Sequence, residues 1–165
     1  MPAPFRRSSR IAGLALDAGE RVLATAAATA GAVVATNRRL LVPVADGFHS
    51  IGWESVDRAS WDRDGEVLVV VESVPLGSPP RNHRLRVETP GRLVDVVREQ
   101  VTASVVITRH VPIAGERGVR VTGRRRPGLD SLSWVVAVDA ALSLDDPGVR
   151  ALVDAAVAEV RAEVE

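Results

Sequence analysis

The residues best suited to chemistry in this sequence are three histidines, His49, His83 and His110. None has a second histidine three or four residues away, so the spacing shows no helical metal motif. We therefore expect them at surface or strand-edge positions, with no metal and no cofactor. If the fold brought them together beside an acidic residue in a concave site, a ligand pocket or a weakly enzymatic site would be indicated instead.

Two residue types that often carry catalysis, cysteine and lysine, are missing from the chain. All its 21 basic residues are arginine. These absences exclude thiolate zinc sites, cysteine nucleophiles, Schiff-base lysines and the phosphate-binding lysine of a P-loop. No Gly-x-Ser-x-Gly elbow is present. Asp145 and Asp146 are better explained as a helix cap than as an acid/base pair. We expect no catalytic residues and a protein that is not an enzyme.

The densest charge is the triplet Arg124-Arg125-Arg126, with Arg120 shortly before it. Guanidinium groups bind oxygen anions well, so these four arginines are candidates for contact with an anion or an acidic partner. The alternative is a solvated turn, neutralised by the acidic end of the chain. The chain has a net charge of zero and 3% aromatic residues, which does not favour nucleic-acid binding.

The zero net charge hides an internal division. Residues 81–126 hold 11 arginines and 4 acids, a net charge of +7, whereas residues 127–165 hold 2 arginines and 8 acids, a net charge of −6. Such asymmetry can pair within one chain or between two copies.

The N-terminal stretch carries arginines followed by alanines, as a signal peptide does. Asp17, Glu20 and Arg21 interrupt the apolar run, so we expect no signal peptide. No stretch has the roughly 18 apolar residues of a membrane helix. We expect residues 1–17 to form an arm and the protein to be cytoplasmic.

Turn residues divide the next part of the chain into a meander of short strands. Asn37-Arg38, Ala45-Asp46-Gly47 and Asp64-Gly65 each fit a hairpin turn, Asn37 because asparagine tolerates a positive φ. The predicted strands are Val22–Ala30, Ala32–Thr36, Leu40–Val44, Phe48–Trp53, Val56–Trp61, Val67–Val74 and His83–Val87.

A change to helical spacing follows, with Leu93, Val97, Val101 and Val105 four residues apart. Thr89 and Pro90 suit its start. A meander and one helix fit either a barrel or two sheets at an angle, with the helix at an open end.

Residues 109–165 form a separate β-β-β-α extension, which we expect to dock on the first domain. The predicted strands are His110–Ile113, Gly118–Gly123 and Leu132–Leu142, and a helix begins at Asp146-Pro147. Its apolar face would pack on its own chain or form a homodimer interface through Leu152, Val153 and Val157.

The motifs "GERVLATA", "VVATNRRLLV" and "SIGWESVDRASWDRDGEVLVV" resemble the bacterial pleckstrin-homology-like domains, including the GRAM type. More narrowly, the whole chain is similar to an uncharacterised actinobacterial family of such domains. The resemblance covers residues 18–105 and implies an α+β fold, in which a strongly bent antiparallel sheet or barrel of seven strands is capped by a helix. We place the boundaries of this pleckstrin-homology-like domain at residues 18–108.

Fold alone does not transfer function, because this scaffold serves many purposes. Phosphoinositide-binding members of the resembled family use basic residues in the loop between the first two strands. Here that loop, residues 28–32, has no positive charge, so we do not expect phosphoinositide binding. The preferred hypothesis is a non-catalytic protein-interaction or scaffold module, binding a protein partner or a second copy of itself. The alternative is a small-ligand-binding or weakly enzymatic domain, with a pocket between the sheet and the C-terminal extension.

Overall fold

A computed structural model describes residues 11, 13–75 and 78–165 of the chain. The fold is α+β, as expected, with three antiparallel sheets and two α-helices. No sheet within the described residues closes on itself as a barrel. Most of the predicted N-terminal arm, residues 1–10 and 12, lies outside the described residues, as do residues 76 and 77 of the loop after the sixth strand.

The first sheet contains four strands in the order β1-β2-β3-β4, each antiparallel to the next. The predicted turn at Asn37-Arg38 joins β2 and β3, but Asn37 does not have a positive φ. Its side chain instead accepts a hydrogen bond from the Arg21 N–H at 2.8 Å and donates one to the Gly19 carbonyl at 3.2 Å. The strands are β1 (Val22–Ala28), β2 (Gly31–Thr36), β3 (Arg39–Val44) and β4 (Gly47–Gly52).

A short 3-10 turn, Trp53–Ser55, leads into a second sheet with the order β5-β6-β7. The predicted hairpin at Asp64-Gly65 is present, but its one left-handed residue is Glu66, with φ of 55°. All seven strands predicted up to residue 87 are present, with bounds that differ by no more than two residues. The strands of the second sheet are β5 (Val56–Asp62), β6 (Val67–Glu72) and β7 (Arg81–Arg86).

Helix α1 (Leu93–Ser104) begins three residues after the predicted proline. Gly91 has a φ of +53°, which is outside the right-handed helical region, so a regular helix can start only after it. The predicted stripe is confirmed at Leu93 and Val97, which are buried. The chain turns extended at Val105, directly into the next strand.

A third sheet and a final helix complete the chain. The sheet has the order β10-β9-β8, and helix α2 packs against β8 and β9. Asp146 caps α2 as predicted, because its carboxylate accepts the Gly148 N–H at 2.8 Å and Pro147 occupies the first helical position. The elements are β8 (Val105–Ala114), β9 (Arg117–Arg125), β10 (Leu132–Val138) and α2 (Pro147–Ala162).

The buried apolar residues form two separate clusters. The first core lies between the first sheet, the second sheet and α1, with Trp53 fully buried within it and Trp61 packed at its margin. The second core lies between the third sheet and α2 and includes Ile107, Val121 and Val153. The C-terminal extension thus has a core of its own.

Glu20, in the first of the three motifs, meets Thr36 and Arg39, in the second. The Glu20 side chain is fully buried and accepts hydrogen bonds from Arg39 Nε at 2.8 Å, Arg39 Nη2 at 3.0 Å and Thr36 Oγ1 at 2.7 Å. Trp53 Nε1, in the third motif, donates to the Thr36 carbonyl at 2.9 Å. The contacts among Glu20, Thr36, Arg39 and Trp53 therefore connect the three motifs and explain why these residue types occur there.

Candidate functional site

A cleft of about 670 Å³ lies between the second sheet and the third sheet. One wall comes from β5, β6 and the loop after β6, and the other from β9 and β10. Val71 projects from the face of β6 opposite to Val70, which belongs to the first core. Val135 and Ala137 likewise lie on the face of β10 that points away from the second core. We call this space the inter-sheet cleft.

The inter-sheet cleft combines an apolar floor with charged edges. Its wall includes the arginines Arg58 and Arg120, both exposed and neither in an ion pair within the described residues, and the acids Asp57 and Glu72. An apolar cavity with a few charged groups at its rim is the usual form of a small-molecule site.

Two of the three histidines meet one glutamate next to this cleft. His49 Nε2 lies 2.9 Å from Glu72 Oε2, and His83 Nε2 lies 2.8 Å from the same oxygen. The two imidazole rings are stacked, with centroids 5.3 Å apart and planes inclined by 24°. We call these three side chains the histidine–glutamate cluster.

Strand alternation explains why the three side chains meet. His49, Glu72 and His83 each lie two residues from a residue of the first core, namely Ile51, Val70 and Leu85. Side chains two residues apart on a strand share a face, so all three project from the inner faces of their sheets. His49 belongs to the first sheet, and Glu72 and His83 belong to the second. The cluster therefore joins the two sheets at the margin of the first core.

The local environment keeps Glu72 ionised. Burial raises the pKa of Glu72, but the hydrogen bonds and positive charge that His49 and His83 can supply outweigh burial, so the pKa lies below its ordinary value of 4.5. The three side chains remain 14–31% exposed, which leaves the cluster open to water and to ions.

Two imidazole nitrogens and one carboxylate oxygen are a donor set that could hold a divalent transition metal. Sequence reasoning expected no metal site because no two histidines are close in the chain. The alternation of side chains along each strand could have pointed to the site, since His49, Glu72 and His83 each fall on the core-facing side of a predicted strand.

The third histidine lies elsewhere. His110 Nε2, on β8, is 3.6 Å from Asp139 Oδ2, and the Gly118 N–H donates to the same carboxylate oxygen at 2.6 Å. That backbone hydrogen bond, aided by His110, lowers the pKa of Asp139 below its ordinary value. Both side chains are close to half exposed, so this is a surface contact on the third sheet.

The four arginines predicted as an anion or partner site do not act together. Arg124 is 5% exposed, and its guanidinium donates to the Val101 carbonyl, to Ser104 Oγ and to the Asp57 carbonyl at 3.1, 2.7 and 2.9 Å. Burial lowers its pKa, although Asp57 opposes that effect. Arg124 is thus a structural contact and is not free to bind a partner.

The other three arginines are exposed. Arg120 lines the inter-sheet cleft, and Arg126 Nε lies 3.6 Å from Glu54 Oε1. Arg125 is at the end of β9. Of the four predicted arginines, Arg120 is therefore the one that lines the cleft.

The three predicted interface residues on α2 differ in how exposed they are. Val153 is completely buried and Val157 is half-buried, both in the second core, whereas Leu152 is 53% exposed. The apolar face of α2 thus packs on the β-sheet of its own chain. Arg109 and Glu163 form an ion pair at 3.1 Å, so basic and acidic segments meet within one molecule.

No family model, curated protein or solved structure matches this chain. In the part of the chain that the structure describes, no helix has the length and apolar character needed to cross a membrane.

Proposed function

We propose that this chain is a non-catalytic small-ligand-binding module on a pleckstrin-homology-like core, with its ligand held in the inter-sheet cleft. The observation that carries the proposal is the cleft itself, an apolar space of about 670 Å³ between two sheets. That volume falls within the roughly 300–1,000 Å³ of typical small-molecule sites. The cleft lies between the first part of the chain and the C-terminal extension.

The order of elements supports the pleckstrin-homology-like core. Four antiparallel strands, three antiparallel strands and a helix follow one another between residues 22 and 104. The resemblance implies seven strands capped by a helix, and α1 packs into the first core with Leu93, Val96 and Val97.

The lining indicates the class of ligand. Val71, Val135 and Ala137 offer apolar contact, and Arg58 and Arg120 offer guanidinium groups at the edge. A small molecule with an apolar body and a carboxylate or phosphate head would satisfy both. We propose binding without catalysis because the lining, as far as the structure describes it, includes no histidine, and the Glu72 carboxylate projects from the inner face of β6, where two histidines engage it.

Isothermal titration with decanoate tests this proposal, since decanoate combines an apolar tail with one negative charge. We expect binding with a Kd below about 1 mM. Decyltrimethylammonium, with the same tail and a positive head, should bind at least about tenfold more weakly. Val135→Trp, which narrows the cleft, and Arg120→Glu, which reverses one of the two positive charges at its edge, should each weaken decanoate binding by about tenfold or more.

Arg150→Glu is the matched control, because Arg150 is exposed on α2 and does not line the cleft. It should leave the Kd for decanoate unchanged. No decanoate binding to the wild-type protein would contradict the proposal. Equal binding by the wild type and by Val135→Trp would also contradict it, because the ligand would then sit elsewhere.

A protein-interaction or scaffold module without a small ligand is the competing proposal. β10 pairs with β9 on one side only, so its other edge could accept a strand from a protein partner. In that case decanoate would not bind, and substitutions at the edge of β10 would be the place to test for lost partner binding.

A further inference from the structure

We propose that the histidine–glutamate cluster is a binding site for one divalent transition-metal ion, with Zn²⁺ as the ion that fits its donors best. His49 Nε2, His83 Nε2 and one carboxylate oxygen of Glu72 would be the ligands. The site goes beyond the proposed function and does not depend on any ligand in the inter-sheet cleft.

The convergence of three donors on one point favours a metal site over a simple ion pair. Glu72 has two carboxylate oxygens, but both imidazoles approach the same one, Oε2. Two histidines pairing independently with a carboxylate would have no need to share one oxygen. Here all three donor atoms lie within 4.8 Å of one another, so they surround one small volume.

The distances are close to those of a coordinated ion. Zinc–nitrogen and zinc–oxygen bonds of about 2.0–2.2 Å place tetrahedral ligands about 3.3 Å apart. The two nitrogen–oxygen separations are 2.9 and 2.8 Å. Each nitrogen–oxygen separation would therefore open by about half an ångström to admit the ion, and the two imidazole nitrogens lie no more than 4.8 Å apart. Each neutral imidazole would then carry its proton on Nδ1 and direct the Nε2 lone pair at the metal.

The scaffold is rigid where the ligands are attached. The ligands lie on β4, β6 and β7, which hold them by strand pairing in two different sheets. Sites on regular elements are better organised than sites on loops. Since His49 belongs to one sheet and the other two ligands to the next, a bound ion would also tie the sheets together and stabilise the folded state.

The donor chemistry limits the choice of ion. Imidazole nitrogen suits Zn²⁺, Co²⁺, Ni²⁺ and Cu²⁺, whereas Mg²⁺ and Ca²⁺ prefer all-oxygen sites. Three protein ligands leave a coordination position for water, and the partial exposure of all three side chains gives the ion a route in.

Titration of tag-free, EDTA-treated protein with ZnCl₂ tests the site. We expect one Zn²⁺ per chain with a Kd below about 10 µM. We also expect a melting temperature that rises with zinc and no competition from Mg²⁺. His49→Ala, His83→Ala and Glu72→Gln should each raise the Kd on the order of 100-fold or more. His110→Ala is the matched control, because it removes the remaining histidine and leaves the cluster intact.

A second readout on the wild-type protein guards against variants that fail to fold. Substoichiometric Co²⁺, which is paramagnetic, should broaden the imidazole proton resonances of His49 and His83 in NMR spectra before those of His110. The proposal would be overturned by a wild-type Kd for Zn²⁺ above about 100 µM, by zinc affinity unchanged in folded His49→Ala, or by broadening centred on His110. A cleft that fails to bind decanoate would leave this result unaffected.

Discussion

At the scale of single residues, Glu20 shows how one carboxylate can organise a motif. Burial raises its pKa, but hydrogen bonds from Arg39, the Asp17 N–H and Thr36 more than compensate and lower the pKa from 4.5 to about 2. A depressed pKa means that ionised Glu20 stabilises the fold above pH 4.5 and that this contribution is lost as the pH falls toward 2.

We predict that Glu20→Gln lowers the free energy of unfolding at pH 7 by about 3 kcal/mol, since each pKa unit corresponds to about 1.4 kcal/mol. The difference from the wild type should shrink as the pH falls from 5 toward 2, which urea unfolding at several pH values would measure. Glu88→Gln, at an exposed position, should change stability by no more than about 0.5 kcal/mol. An equal loss at pH 7 and at pH 2 would contradict the explanation by charge.

The histidine–glutamate cluster was the feature that the sequence did not reveal. His49 and Glu72 are 23 residues apart, and Glu72 and His83 are 11 apart. A motif search finds ligands at fixed short spacings, whereas these three meet only because two sheets face each other. Knowing the faces of the strands narrows the choice, but the pairing of the sheets is needed to complete it.

At the scale of elements, the sequence predicted the strands up to residue 87 well because their signals are local. In the C-terminal extension β8 begins five residues before the predicted His110, and β10 ends four residues before the predicted Leu142. Turn residues marked the hairpins, and Asp146-Pro147 marked the start of α2. The physical reasons for two of these turns differ from the predicted ones. Asn37 stabilises its turn through side-chain hydrogen bonds and not through a positive φ, and Glu66, not Gly65, has the left-handed conformation. The turn residues thus predicted where each hairpin lies but not the backbone conformation of its turn.

We predict opposite outcomes for two neighbouring residues of α2. Val153→Asp places a charge in the second core and should lower the free energy of unfolding by about 3 kcal/mol or more. Leu152→Asp, at a position that is 53% exposed, should change it by no more than about 0.5 kcal/mol. Chemical denaturation compares the two, and equal losses would mean that α2 does not pack as described.

A homodimer through α2 stays a prediction, now with Leu152 as its exposed apolar contact. Light scattering on the wild type and on Leu152→Asp tests it: a mass that halves in the variant would support the dimer, and a monomeric wild type would exclude it. With Val153 and Val157 in the second core, such an interface would have less apolar area than the sequence suggested.

At the scale of the whole molecule, the relation between the two cores could not be predicted from the sequence. The division of charge does not follow the boundary between the cores, because the basic segment 81–126 contributes buried residues to both of them. A buried arginine supplies hydrogen bonds between the two parts. Arg124, on β9, donates to Val101 and Ser104 at the end of α1 and to Asp57 on β5. A sequence pattern that marked Arg124-Arg125-Arg126 as exposed charge could not distinguish the one member that faces inward.

We predict that Arg124→Leu weakens the coupling between the two cores. Removing the guanidinium leaves the Val101 and Asp57 carbonyls without this donor. Hydrogen bonds to charged groups contribute about 1.5–3 kcal/mol each. Because the substitution also removes a buried charge, we expect the free energy of unfolding to fall by about 2–3 kcal/mol overall. Arg125→Leu is the matched control, because Arg125 is exposed and adjacent in sequence, and it should change stability by no more than about 0.5 kcal/mol.

Calorimetry should show one cooperative transition in the wild type and two in Arg124→Leu, the second core melting first because it buries fewer residues. Two transitions already present in the wild type would mean that the cores fold independently and that Arg124 does not couple them.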